Sequence, residues 1–170
     1  MTNNERFNIW NKFIDPRVDK LVRNKLYLEA FYLFFAAVEF ILQANIQSQE
    51  EWILMNLHKR GVKFDPTPVS ILQKKPLGEL IKLFSRYCED SDLIFKLNNF
   101  NSFRITTVHK LMDQDIDKLN LKAKSSLKSY HELIAKLSRY GLKISNKKIA
   151  SFSRKIKNLE RKRVARDGSI

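Results

Sequence analysis

Arg104 and His109 stand five positions apart in NNFNSFRITTVHKL, residues 98–111. As side-chain types they suit chemistry at a phosphate. An imidazole, with an ordinary pKa of about 6.5, takes up and returns a proton near neutral pH. A guanidinium is a permanent cation whose planar fork fits two phosphate oxygens. RNA already holds its own nucleophile, the 2′-hydroxyl beside the scissile phosphorus, so such a pair needs neither a protein nucleophile nor a metal or other cofactor. General acid–base help contributes about 10²–10⁴-fold, and preorganised charge adds a similar factor. Spacing alone is weak evidence in a chain with 11 Arg and 3 His. The ordinary alternative is an ion pair of Arg104 with Glu29, Glu39 or Asp113, and a surface or capping role for His109. His58 and His131 lack comparable surroundings and read as solvent-facing.

On a straight helix five residues separate two side chains by about 140° around the axis and about 7.5 Å along it. Convergence on one phosphate therefore needs a bend, for which back-bonding by Thr106 and Thr107 is a candidate cause, or a second copy that supplies the missing half. The elements that must position the pair read as helices throughout. Gly and Pro number four each, and the evenly spaced turns between alternating β-branched runs that mark strands are missing. The expectation is an all-α bundle of about five helices, residues 1–142, followed by a basic amphipathic helix, residues 143–170.

A short amphipathic opening with Phe7, Ile9, Trp10, Phe13 and Ile14 ends at Asp15-Pro16, where proline suits the first turn of the next helix. That next helix, about Arg17 to Gln47, is apolar nearly all round, including Phe31, Phe34, Val38 and Leu42, as in a helix enclosed by others. Its stretch Leu26–Leu42 is too short and too acidic for a membrane span, with Glu29 and Glu39 inside it. A second helix, Gln49 to Arg60, closes at Gly61, and FDPTP forms a loop. A helix from Pro76 or Leu77 ends near Asp90, where Ser91 or Asp92 caps the next. That one buries Leu93, Ile94, Leu97, Phe100 and Ile105 or Val108. A further helix, Ile116 to Tyr140, stops at Gly141.

The charge is concentrated near the end of the chain. Residues 1–121 hold 17 Lys or Arg against 15 Asp or Glu; residues 122–170 hold 15 against 3, nearly the whole of the net +14. Such density attracts a phosphate polymer, an anionic surface or an acidic protein, or serves only solubility. Lys147, Lys148, Arg154, Lys155 and Arg161 are candidate phosphate contacts, with Asn101 and Lys110 near the pair. Aromatic partners for base stacking are sparse in this segment, Phe152 and Tyr140 at most, and Phe152 belongs to the apolar stripe of Ile149, Ile156 and Leu159. Cys88 is alone and the three His are scattered, so no disulfide and no zinc-type spacing arises. A cytoplasmic setting fits, and the opening residues lack a signal-peptide order.

Arg104-Ile105-Thr106-Thr107-Val108-His109, preceded by LGELIKLF and KLNNFNSF, resembles the Arg-x4–6-His signature of the HEPN family of helical-bundle ribonuclease domains. The resemblance covers roughly Arg17 to Tyr140. It implies a metal-independent RNA endonuclease that cleaves by 2′-hydroxyl attack, with Arg104 and His109 catalytic, in a toxin–antitoxin, antiviral defence or stress-response setting. It also implies a homodimer with two signatures across one cleft, and makes an inhibitor protein a further candidate partner. Ile105 departs from the polar residue usual after the arginine. The alternative is an inactive HEPN-like dimer that binds nucleic acid or protein.

Overall fold

The computed structural model describes residues 14–58, 60–109 and 115–167, and the side chains among them except 108, 109 and 159–167. Six helices and no strands appear among the described residues: α1 Asp15–Arg23, α2 Tyr27–His58, α3 Val69–Leu72, α4 Leu77–Phe84, α5 Ser91–His109 and α6 Ile116–Asp167. The all-α expectation holds. The amphipathic opening around Phe7 and Trp10 lies outside the described residues.

Several boundaries differ from the sequence reading, each for a physical reason. The expected helix from Arg17 to Gln47 breaks at Asn24-Lys25. Lys25 takes a left-handed conformation, φ 60°. Its N–H donates to the Val22 carbonyl and that of Leu26 to Leu21, a complete Schellman closure with lysine where glycine is usual. Neither Gly nor Pro marks the spot. What makes the break tolerable lies far along the chain. The Asn120 side chain accepts hydrogen bonds from the N–H groups of Tyr27, 2.8 Å, and Leu28, 3.0 Å, and donates to the Lys25 carbonyl. A residue of α6 thus caps the start of α2.

The helices expected on either side of residue 48 are one, α2, which closes at Gly61 as anticipated. Gly61 has φ 70°, its N–H donates to His58, and that of Val62 donates to Leu57. α2 is the one helix among the described residues with the length and composition to cross a membrane. Its buried residues Ala30, Phe31, Phe34, Val38, Leu42 and Ile46 belong to the main core.

α4 starts behind Pro76 and ends at Phe84, earlier than expected; it buries Leu77, Leu80, Ile81 and Phe84. Asp90, rather than Ser91 or Asp92, caps α5 by accepting the N–H of Leu93. Lys136 of α6 grips Asp90 at 2.9 Å and Asp92 at 2.7 Å, and these hydrogen bonds hold both carboxyls below the usual range. The buried stripe of α5 runs Leu93, Leu97, Phe100 and then Thr107, whose hydroxyl satisfies itself on the Phe103 carbonyl. Of the alternatives Ile105 and Val108, Ile105 is 44% exposed, and the Val108 side chain lies outside the described residues.

α2 and α6 run parallel. Their contacts advance together along both: Tyr27 with Asn120, Phe31 with Tyr130, Asn45 with Leu137, Glu51 with Lys148. A parallel pair needs a long crossover, which residues 59–115 provide. α5 lies antiparallel to α6, and Phe31, Phe100, Phe103 and Tyr130 meet where the three helices touch, with centroids 4.8–6.2 Å apart. Burial pushes the Tyr130 phenol up to about 12, against an opposing effect from Ser126.

Gly141 does not stop α6. A Cβ there would collide with Oδ1 of the buried Asn45, whose Nδ2 donates to the Leu137 carbonyl at 3.0 Å. The glycine admits a neighbouring side chain rather than ending a helix. Further on, Glu50, 1% exposed, accepts the Thr67 N–H and hydroxyl and the Tyr87 phenol. Burial and this bond push Tyr87 up to about 12. Tyr140 of α6 donates to the Tyr87 carbonyl, so one buried carboxylate ties the crossover to both long helices.

Gly141→Ala in an ordinary helix would gain about 1 kcal/mol; here it should lose about 1–3 kcal/mol through the clash with Asn45. In urea titrations Asn45→Ala should cancel part of that loss when combined with it. A gain from Gly141→Ala alone would contradict this packing. Asn120→Ala strands two partly buried N–H groups and should cost about 1–3 kcal/mol, read the same way.

Candidate nucleic-acid interface

α5 carries Arg104 and His109 on one uninterrupted helix. Its Thr106 hydroxyl donates to the Ser102 carbonyl, 2.9 Å, and its Thr107 hydroxyl to Phe103, 2.8 Å, the back-bonding that bends helices. The half-buried Arg104 guanidinium lies over the Phe35 ring, 4.4 Å from its centroid. Glu39 stands one turn further along α2. Burial raises its carboxyl pKa, and the Arg104 charge opposes that rise. Glu39 is thus one of the carboxylates weighed as partners for Arg104 that the guanidinium charge reaches. Glu29 is exposed in the first turn of α2, and Asp113 lies outside the described residues. The cation–π contact accounts for about 0.5–2 kcal/mol of the arginine's placement.

His109 is the last residue of α5; its side chain, and all of Lys110, lie outside the described residues. Asn101 points at α4: its Nδ2 is 3.4 Å from the place a Cβ on Gly78 would take, and its Oδ1 is buried without a hydrogen-bond partner among the described residues. His58 and His131 are exposed, although His131 sets its ring edge-on to Phe34, centroids 4.7 Å apart. Among the described residues no three His, Cys, Asp or Glu side chains gather as metal ligands.

The basic residues of α6 divide. Lys148 is turned inward, only 18% of its side chain exposed, and bonds Glu51 at 2.6 Å, so it joins the helices. Lys147, Arg154 and Lys155 line a groove of about 530 Å³ where the last turns of α2 face α6. Trp52 and Asn56 form its other wall, with Ser151 and Asn158 beside the cations. The Asn56 amide is steadied by its bond to the Trp52 carbonyl, 2.8 Å. Arg161 continues the same helix, its side chain outside the described residues.

Trp52 is the residue that sequence reasoning missed. Stacking aromatics are sparse within the basic segment itself, and Trp52 stands 95 positions before Lys147. The parallel pairing of α2 and α6 brings it there. Only the ion pair between Glu51 and Lys148 could have hinted at it, and nothing in a one-dimensional pattern selects that pair.

Chemically the groove offers three cations from α6 and an indole from α2. Cations at this spacing track a phosphate backbone without reading bases, and an indole stacks on any base. No family model, no curated protein and no solved structure matches this chain.

Two expected outcomes follow for single-stranded oligonucleotides. Replacing Lys147, Arg154 and Lys155 with Ala should make the log–log dependence of affinity on salt shallower by about 2, at about 0.7 per phosphate contact. Trp52→Ala should weaken binding by about 1–3 kcal/mol and leave that slope unchanged. Fluorescence anisotropy across a salt series separates the two.

Proposed function

We propose that this chain binds single-stranded nucleic acid, RNA in particular, along the groove between α2 and α6. The observation that carries the reading is Trp52 facing Lys147, Arg154 and Lys155. A neutral groove of this size would suit many ligands. One with three cations, three amide or hydroxyl side chains and an indole suits a sugar–phosphate chain with bases to stack. The excess of 15 basic over 3 acidic residues in positions 122–170 adds a field that draws polyanions from a distance.

A second reading makes the same protein a metal-independent RNA endonuclease of HEPN type, acting as a toxin, defence or stress effector in the cytoplasm under the restraint of an inhibitor protein. It is favoured by the placement of Arg104 and His109 on one helix with two back-bonded threonines between them. In this reading the 2′-oxygen attacks phosphorus as His109 takes its proton. The bond to the 5′-oxygen breaks, and that oxygen receives a proton from the imidazole of a second copy. The products are a 2′,3′-cyclic phosphate and a 5′-hydroxyl. Arg104 bears on the phosphorane oxygens, for which its guanidinium must leave the Phe35 ring or be approached there by the substrate.

Single-stranded RNA incubated with the protein in EDTA distinguishes the readings. The endonuclease yields cyclic-phosphate ends, and His109→Ala cuts the rate by 10²-fold or more without changing retention of the RNA. RNA held but never cut leaves the binding protein and removes the enzyme. Loss of neither retention nor cleavage on replacing Lys147, Arg154 and Lys155 would remove the groove. Light scattering measures whether a homodimer forms.

A further inference from the structure

Beyond the groove, α6 presents a second face that no part of the described chain covers. Leu142, Ile149, Phe152 and Ile156 are 61%, 62%, 51% and 55% exposed. They step by 7, 3 and 4, and Leu159 continues the sequence by 3. At 100° per residue these four fall within about 80° of one another, and their centre lies about 150° round the helix from that of Lys147, Ser151, Arg154, Lys155 and Asn158. The stripe and the groove therefore occupy opposite sides of α6.

Alternating steps of three and four are the seam spacing by which one helix sets its side chains between those of another. A single helix cannot cover such a seam by itself, and solvent-facing Ile149, Phe152 and Ile156 at three successive seam positions, with Leu142 two positions earlier across Ser145, form an apolar strip rather than scattered surface hydrophobics. The charge around the strip selects the occupant. Residues 143–167 hold ten Lys or Arg against two Asp or Glu. A second copy would bring a net +8 against a net +8, so self-pairing is opposed by like charge.

We propose that the outer face of α6, from Leu142 to Ile156, is a docking surface for an acidic amphipathic helix of a partner protein, with aliphatic residues at its seam positions and Glu or Asp on its flanks. Because this face is turned away from the groove, the partner and a nucleic acid engage the helix from opposite sides. The inference stands whether or not the groove binds RNA.

The test uses the whole chain and a synthetic four-heptad peptide with Leu at both seam positions and Glu on both flanks, followed by anisotropy at 150 mM salt. The peptide should bind one to one. Ile149→Ser with Ile156→Ser should weaken it at least tenfold while thermal melts stay within a few degrees, both positions being exposed. Lys147→Ala with Arg154→Ala should leave binding within about twofold. A peptide of the same composition with its leucines scattered off the seam should not bind. Equal binding by the Ser variant would reduce the interaction to charge alone and overturn the proposal. So would a dimer of the chain itself that dissociates in the Ser variant, or stripe-dependent binding to phosphatidylglycerol vesicles in the absence of peptide binding. Retention of RNA, measured in the same variants, reports on the groove separately.

Discussion

The distance between the two long helices is set where Asn45 crosses to the Leu137 carbonyl over the bare Cα of Gly141. Helices normally hold each other off by their side chains, and here one side is missing. That close approach keeps α2 and α6 in register from Asn120 at one end to the pair of Glu51 and Lys148 at the other. The register in turn decides what faces what in the last turns of α2. A slip of α6 by one residue would swing its side chains by about 100° and take Lys147 and Arg154 away from Trp52. The candidate interface is thus a product of the packing rather than of the basic segment that supplies its charge.

Polar groups do much of the registering. The apolar contacts of Phe31, Phe34, Leu133 and Leu137 supply the free energy of burial, but such contacts tolerate sliding. Asn120, Asn45 and Glu50 do not, because each makes its hydrogen bonds only in one arrangement and a buried polar group left unmet costs on the order of 1–3 kcal/mol. Among the described residues Glu50 does so without an ion pair, by accepting three bonds from neutral donors. It holds the loop around Thr67 and the end of α4 against the pair of long helices, and so fixes the crossover that a parallel arrangement requires.

Most of the fold was legible in the sequence because helix periodicity and apolar content are local properties. The core of α2, the closure at Gly61, Pro16 in the first turn of α1 and the absence of strands among the described residues all come from nearest neighbours. What escaped came from residues distant in sequence. The corner at Lys25 has no breaker, and its justification is Asn120. Gly141 looks like a stop, and its justification is Asn45. Ile105 or Val108 reads as core, yet Ile105 is exposed and the stripe turns to Thr107, a residue whose hydroxyl hides itself on its own helix. The candidate site divides the same way. Lys147, Arg154 and Lys155 were visible as charge, Lys148 was counted with them although it belongs to an internal pair, and Trp52 could be found only in three dimensions. Arg104, singled out for its chemistry, has a structural occupation over Phe35 and beside Glu39, where it offsets a carboxylate that burial disfavours.

The cap that Asn120 places on α2 has a consequence for synthesis of the chain. α2 begins at Tyr27, and the group that satisfies its first amides is not made until more than ninety residues later. The same delay applies to its packed face, most of which meets α6. During translation a long apolar helix therefore waits, uncapped and without its α6 partner, while the crossover is added. This is the interval in which contacts of large sequence separation make folding slow. A nascent chain arrested within that interval exposes Phe31, Phe34 and Leu42 together, which makes this stage the one at which a chaperone has most to hold.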